Sequence, residues 1–156
     1  MTETPTWDAK RVEEIVAAHA HLEGPLLPIL HALQLEYGCI PRDAIPVVAK
    51  ALNLTRAEVY GVVSFYHDFR EGPPGRRVVR LCRAEACQSM GARALSEAVL
   101  KHFRIDWGET TSDGTVTIDP VYCLGLCSVA PAALVDGAPY GKLDAERLIE
   151  AVEKAP

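Results

Sequence analysis

Residues 72–87 read Gly72-Pro73-Pro74-Gly75-Arg76-Arg77-Val78-Val79-Arg80-Leu81-Cys82-Arg83-Ala84-Glu85-Ala86-Cys87, and this stretch decides the fold. Its first four residues hold two prolines, which lack an N–H, and two glycines, which relax the backbone, so regular structure does not cross them. Val78-Val79-Arg80-Leu81 is then a short β-branched run that predicts a strand ending on Cys82. Before the break the pattern is helical; after it, strand and helix signals are mixed. The chain therefore reads as α+β in two domains: a helical bundle over residues 1–72, and over residues 76–156 a domain with a small mixed sheet and helices packed on it.

Working upstream, Val12, Ile15, Val16 and His19 fall at helical spacing, and Gly24-Pro25 ends that run. A second stripe holds Leu26, Ile29, Leu30, Leu33 and Tyr37, with Gly38 placed to cap it. Pro41 opens a third helix through Ile45, Val48, Ala49 and Leu52, with Pro46 fitting within the first turn and Asn53 ending it. Thr55-Arg56-Ala57-Glu58 is a capping box, and the helix behind it carries Val59, Val62, Val63 and Tyr66 and runs out near Phe69. Downstream, a helix is expected from about Ser89 to Phe103. A half-buried strand alternates Val116 and Ile118 with Thr115 and Thr117, and Asp136-Gly137 joins a hairpin. Asp144 caps a last helix holding Leu148, Ile149 and Val152.

The 156 residues are 49% apolar and 24% charged, a globular balance. The net charge of −5 comes with no Lys/Arg block, which argues against nucleic acid. No stretch approaches the ~18 apolar residues of a membrane helix, and no basic-then-apolar leader is visible, so the expectation is no membrane insertion and a cytoplasmic location. In a reducing compartment five cysteines read as ligands or buried thiols before disulfides. There is no G-x-S-x-G elbow around Ser64 or Ser128, no G-x-G-x-x-G after a strand, no P-loop and no H-E-x-x-H, so no catalytic residues are assigned.

Four cysteines form two close pairs. Cys82-x4-Cys87 follows the first strand, Cys123-x3-Cys127 follows the second, and 35 residues intervene. If the two strands are neighbours, four thiolates meet. Structural zinc usually takes tighter knuckles, whereas two bridged irons, each chelated by one pair, suit longer loops; zinc and a disulfide set stay open on spacing alone. A [2Fe–2S] cluster with four thiolates carries roughly two negative charges and needs N–H donors or cations nearby. Gly91, in the first turn after Cys87, and Gly125, inside Cys123-Leu124-Gly125-Leu126-Cys127, are candidates to bring backbone close; Arg80 and Arg83 read as counter-charges or, equally, as solvated strand residues. Leu124, Leu126, Val129 and Ala130 make the second loop apolar, which predicts a low-potential one-electron centre. At Ala130-Pro131 a cis bond would tighten the turn, with trans as the ordinary alternative. Cys39 reads as a buried small hydrophobe. None of His19, His21, His31, His67 or His102 lies in a ligand loop, which disfavours a Rieske-type centre.

At these residues a resemblance becomes specific. Ala57-Glu58-Val59-Tyr60-Gly61-Val62-Val63-Ser64-Phe65-Tyr66, Cys82-Arg83-Ala84-Glu85-Ala86-Cys87 and Tyr122-Cys123-Leu124-Gly125-Leu126-Cys127, with Ala130-Pro131 following, resemble the thioredoxin-like [2Fe–2S] ferredoxin subunits of complex I, NAD-reducing hydrogenases and NAD-dependent formate dehydrogenases. His67-Asp68-Phe69-Arg70, Gln88 after Cys87 and the Leu-Cys-Ser-Val-Ala-Pro run lean toward the gamma subunit of the soluble molybdenum formate dehydrogenase. The resemblance implies a thioredoxin-like second domain and one [2Fe–2S] cluster on Cys82, Cys87, Cys123 and Cys127. It also implies partner docking by the helical domain, an FMN- and NAD-binding partner subunit, and a larger molybdenum and iron–sulfur catalytic subunit.

Overall fold

The computed structural model describes residues 7–154. The chain divides into two compact units, Met1–Pro73 and Pro74–Pro156. The first holds helices α1 (Ala9–His19), α2 (Leu26–Tyr37), α3 (Ile45–Ala51) and α4 (Arg56–Phe65). Their apolar stripes converge on one core, with Val12, Ile29, Leu30, Leu33, Val48 and Val59 fully buried. Full burial of each such side chain stabilises by about 1.5–3 kcal/mol before conformational entropy is subtracted. Gly38 adopts a left-handed φ of 75° and returns its N–H to Gln34 at 2.8 Å, closing α2. Pro46 sits in the first turn of α3, where a missing N–H costs nothing.

The capping box of α4 forms in full: Glu58 N–H donates to Thr55 Oγ1 at 3.1 Å, and Thr55 N–H donates to Glu58 Oε2 at 2.7 Å. Thr55→Ala is expected to lower stability by about 1 kcal/mol, read as a reduced urea midpoint at unchanged slope. The helix ends at Phe65, four residues earlier than its pattern predicts, because Tyr66 turns extended at ψ 112°. Tyr66 is accordingly exposed and does not join the buried stripe.

The second unit contains β1 (Arg77–Cys82), α5 (Glu85–Ser89), α6 (Ala92–Phe103), β2 (Val116–Val121), β3 (Ala133–Val135), β4 (Ala138–Tyr140) and α7 (Ala145–Lys154). The sheet order is β2-β1-β3-β4, with β1 parallel to β2 and antiparallel to β3. A parallel pair needs a crossover, and α5 and α6 supply it. Val79, Leu81, Val116 and Ile118 pack with Leu95 and Val99 of α6 and with Leu148 of α7 in one core. Asp144 caps α7 through Arg147 N–H at 2.8 Å.

Two expectations need correction here. The helix expected from about Ser89 to Phe103 starts at Ala92, because Gly91 takes φ +93° there, and Ser89 ends the separate short helix α5. The threonine face of β2 is not solvated: Thr117 is 1% exposed. Its Oγ1 accepts Gly75 N–H at 2.7 Å and shares a hydrogen bond with Thr110 at the same distance, which satisfies the buried hydroxyl.

Candidate metal centre

β1 and β2 run parallel in register from Arg77 opposite Val116 to Cys82 opposite Val121, so they finish side by side at one edge of the sheet. The ladder continues one step further, as Arg83 N–H donates to Val121 O at 2.7 Å. Cys82 closes β1, and its N–H donates to Ala132 O at 3.1 Å. The chain then turns through extended Ala84 into α5, whose single turn brings Cys87 back to the Cys82 sulfur. After β2 the chain reverses at Cys123, φ +111°, and Gly125, φ +76°. Cys127 opens a 3-10 turn (Cys127–Val129), and its sulfur lies 4.0 Å from that of Cys123. The Ala130–Pro131 peptide is cis.

The surroundings differ between the pairs. Cys82 and Cys87 are 3% and 2% exposed and pack with Ala92, Ala130 and Ala132, while Cys123 and Cys127 are exposed. Leu124, Leu126 and Val121 are partly buried against the inner pair. Small alanines let main chain come near sulfur. The N–H groups of Ala84, Leu124 and Cys123 are directed at Cys82, that of Ala132 at Cys87, and that of Gly125 at Cys123 at 3.4 Å.

Burial pushes the Cys82 thiol up, but hydrogen bonds from Ala84 N–H, Cys87 and the second loop outweigh it and bring the net value below that of a free thiol. Burial, and then the bond to Cys82, push Cys87 up. Cys127 is raised by its bond to Cys123, then by the charge of Cys123, with the charge of Cys82 also felt. The loops thus interact electrostatically, and the sulfurs arrive as two pairs. Among the described residues no three His, Cys, Asp or Glu side chains close around a single ion. Two thiol pairs, with main-chain donors aimed at sulfur and a dry inner wall, are a donor set that fits a binuclear iron–sulfur cluster.

One expected helper, Gly91, acts otherwise. Gly91 N–H bonds to Gln88 O at 3.1 Å and is not aimed at sulfur. Gly125 takes φ +76° and its N–H donates to the Cys123 sulfur at 3.4 Å, so the backbone does come close to a sulfur there. Cys39 is 1% exposed in the first unit, and burial raises its thiol. His19 bonds Ile15 O at 2.8 Å, His31 packs on Phe69, and His102 pairs with Glu153 at 3.1 Å. The donors Ala84 and Ala132 escaped sequence reading because an alanine N–H leaves no signature in composition. No described helix is long and apolar enough to cross a membrane.

The family profile described as thioredoxin-like [2Fe-2S] ferredoxin matches residues 12–156. The chain is 34% identical over 134 residues to the NADP-reducing hydrogenase subunit HndA of Solidesulfovibrio fructosivorans, covering 86% of this chain and 78% of that one. It is 32% identical over 136 residues to a subunit of the NADH-quinone oxidoreductase of Pseudomonas aeruginosa, covering 85% and 82%. Among solved structures, an NAD+-reducing [NiFe]-hydrogenase in the air-oxidized state superposes with a TM-score of 0.66 at 31% identity over 80% of this chain. This chain spans only 22% of that hydrogenase chain. Profile, relatives and fold agree, and the chain belongs to the thioredoxin-like [2Fe–2S] ferredoxin family, with one [2Fe–2S] cluster as its cofactor.

Proposed function

We propose that this chain is a one-electron relay subunit of an NAD-linked oxidoreductase complex, with its cluster held by Cys82, Cys87, Cys123 and Cys127. The observation that carries this reading is the arrival of four sulfurs, as two pairs, from the adjoining ends of parallel strands β1 and β2. The cluster supplies reversible uptake of single electrons when bound. The chain's own residues do the rest. β1 and β2 fix the spacing of the two loops, and Ala92, Ala130 and Ala132 keep water from the inner pair. The exposed side, at Cys123 and Cys127 beside the 73% exposed Tyr122, is where a redox partner approaches.

For the parent complex, the reading is a soluble NAD-dependent molybdenum formate dehydrogenase, in which the chain exchanges single electrons with an FMN-bearing subunit. His67-Asp68-Phe69-Arg70, Gln88 and the Leu126-to-Pro131 run support it. In this reading the helical unit, Met1–Pro73, is a docking element for partner subunits. The second reading is the corresponding subunit of complex I or of an NAD-reducing hydrogenase. It is favoured by similarity to proteins bearing those names.

The test is anaerobic capture of the tagged chain from its source cells, with metal analysis and identification of bound chains. The expected result is iron and labile sulfide at about two each per ferredoxin chain, together with molybdenum, FMN and formate-driven NAD+ reduction. Nickel, or a membrane quinone reductase, in place of molybdenum would select the second reading. A colourless zinc protein would overturn both.

A further inference from the structure

Arg83 directly follows Cys82 and its main chain is tied to both ligand loops; the role argued for it rests on the cluster assignment proposed above. Its N–H donates to Val121 O at 2.7 Å, two residues before Cys123, and its carbonyl accepts Gln88 Nε2 at 3.4 Å, one residue after Cys87. Its guanidinium carbon sits 4.9 Å from the centroid of the Trp107 ring. Trp107 is itself packed on the core of the second unit. Arg83 Nε is buried and has no hydrogen-bond partner, and no carboxylate pairs with Arg83 among the described residues.

An exposed strand arginine would swing into water and keep Nε hydrated. Here a cationic group is partly desolvated, with only an aromatic face for company. Stacking offsets part of that cost, and a negative group nearby would offset more. Negative charge is what loading brings to the adjoining sulfurs. We infer that Arg83, clamped on Trp107, is a fixed counter-charge that raises the reduction potential of the cluster. Reduction adds one negative charge, so a fixed cation favours the reduced form. Opposite unit charges roughly 10 Å apart at an effective dielectric of about 20 bias a one-electron equilibrium about tenfold.

The experiment is an EPR-monitored redox titration of the full-length, cluster-loaded chain and of Arg83→Gln, Arg83→Lys and Trp107→Leu. Arg83→Gln is expected to favour the oxidised form about tenfold, a drop of about 59 mV for one electron. Arg83→Lys is expected to keep most of the parent potential, and Trp107→Leu to fall between, because it frees the guanidinium without removing its charge. An unmoved potential in fully loaded Arg83→Gln would overturn the role of Arg83 alone. So would an Arg83→Lys shift as large as that of Arg83→Gln, since shape and not charge would then matter. If Arg83→Gln does not load, a Trp107→Leu potential equal to the parent's overturns the inference, and an intermediate one supports it. A parent chain that binds no cluster at all overturns the functional reading and this inference together.

Discussion

Cys87→Ala and Cys123→Ala are each expected to abolish the native cluster, whereas Cys39→Ala leaves it in place. The two ligand candidates come from opposite pairs, one buried in α5 and one exposed after β2. Either change leaves one iron of a binuclear site with a single thiolate, and metal affinity falls with the ligand count. The expected readout after anaerobic reconstitution is loss of the broad visible absorption, with iron and sulfide falling from about two each per chain toward zero. Cys39 belongs to the other unit and fills space in a helical core. Its truncation is expected to cost on the order of 1 kcal/mol of stability and none of the colour. A spectrum unchanged in Cys87→Ala, or lost in Cys39→Ala, would sink the ligand assignment.

Gly141→Ala is expected to destabilise the second unit by about 1–3 kcal/mol, as overpacking does, and to hasten loss of the cluster. A Cβ there would stand 2.6 Å from Val129 Cγ2 and 2.8 Å from Val129 O, closer than atoms tolerate. Val129 O also accepts Lys142 N–H at 2.6 Å, so the two segments have no room to part. Val129 closes the turn that Cys127 opens, and its displacement is carried to the Cys127 sulfur, a candidate ligand. Gly61→Ala is the control: its added methyl meets nothing within 4 Å. Melting of the loaded chains, followed both at the backbone and at the cluster absorption, separates the two cases. Parent-like bleaching in Gly141→Ala would show that the turn absorbs the strain.

Much of this was legible in the sequence because it depends on short-range chemistry. The Thr55 and Glu58 pair caps a helix wherever it occurs, and Gly38 ends one because it tolerates positive φ. The Gly72-to-Gly75 break separates helical from mixed patterning for the same local reason. The cysteine pairs stood out because ligand spacing is itself a short-range property. Some local signals misled. Periodicity could not see that α4 stops at Phe65, or that Gly91 holds the start of α6 back to Ala92, since helical spacing runs on past each boundary.

What the amino-acid order determined by itself was the inventory: helical and extended signals in the right succession, and four sulfurs in two loops. Adjacency came from the folded chain alone. The parallel pairing of β1 with β2 sets the two loops at one sheet edge; the folded chain also buries Thr117, directs the amide of Ala132 at the Cys87 sulfur and lays Arg83 on Trp107. Those contacts join residues far apart in the chain, and their energies depend on burial and distance, which no local pattern encodes.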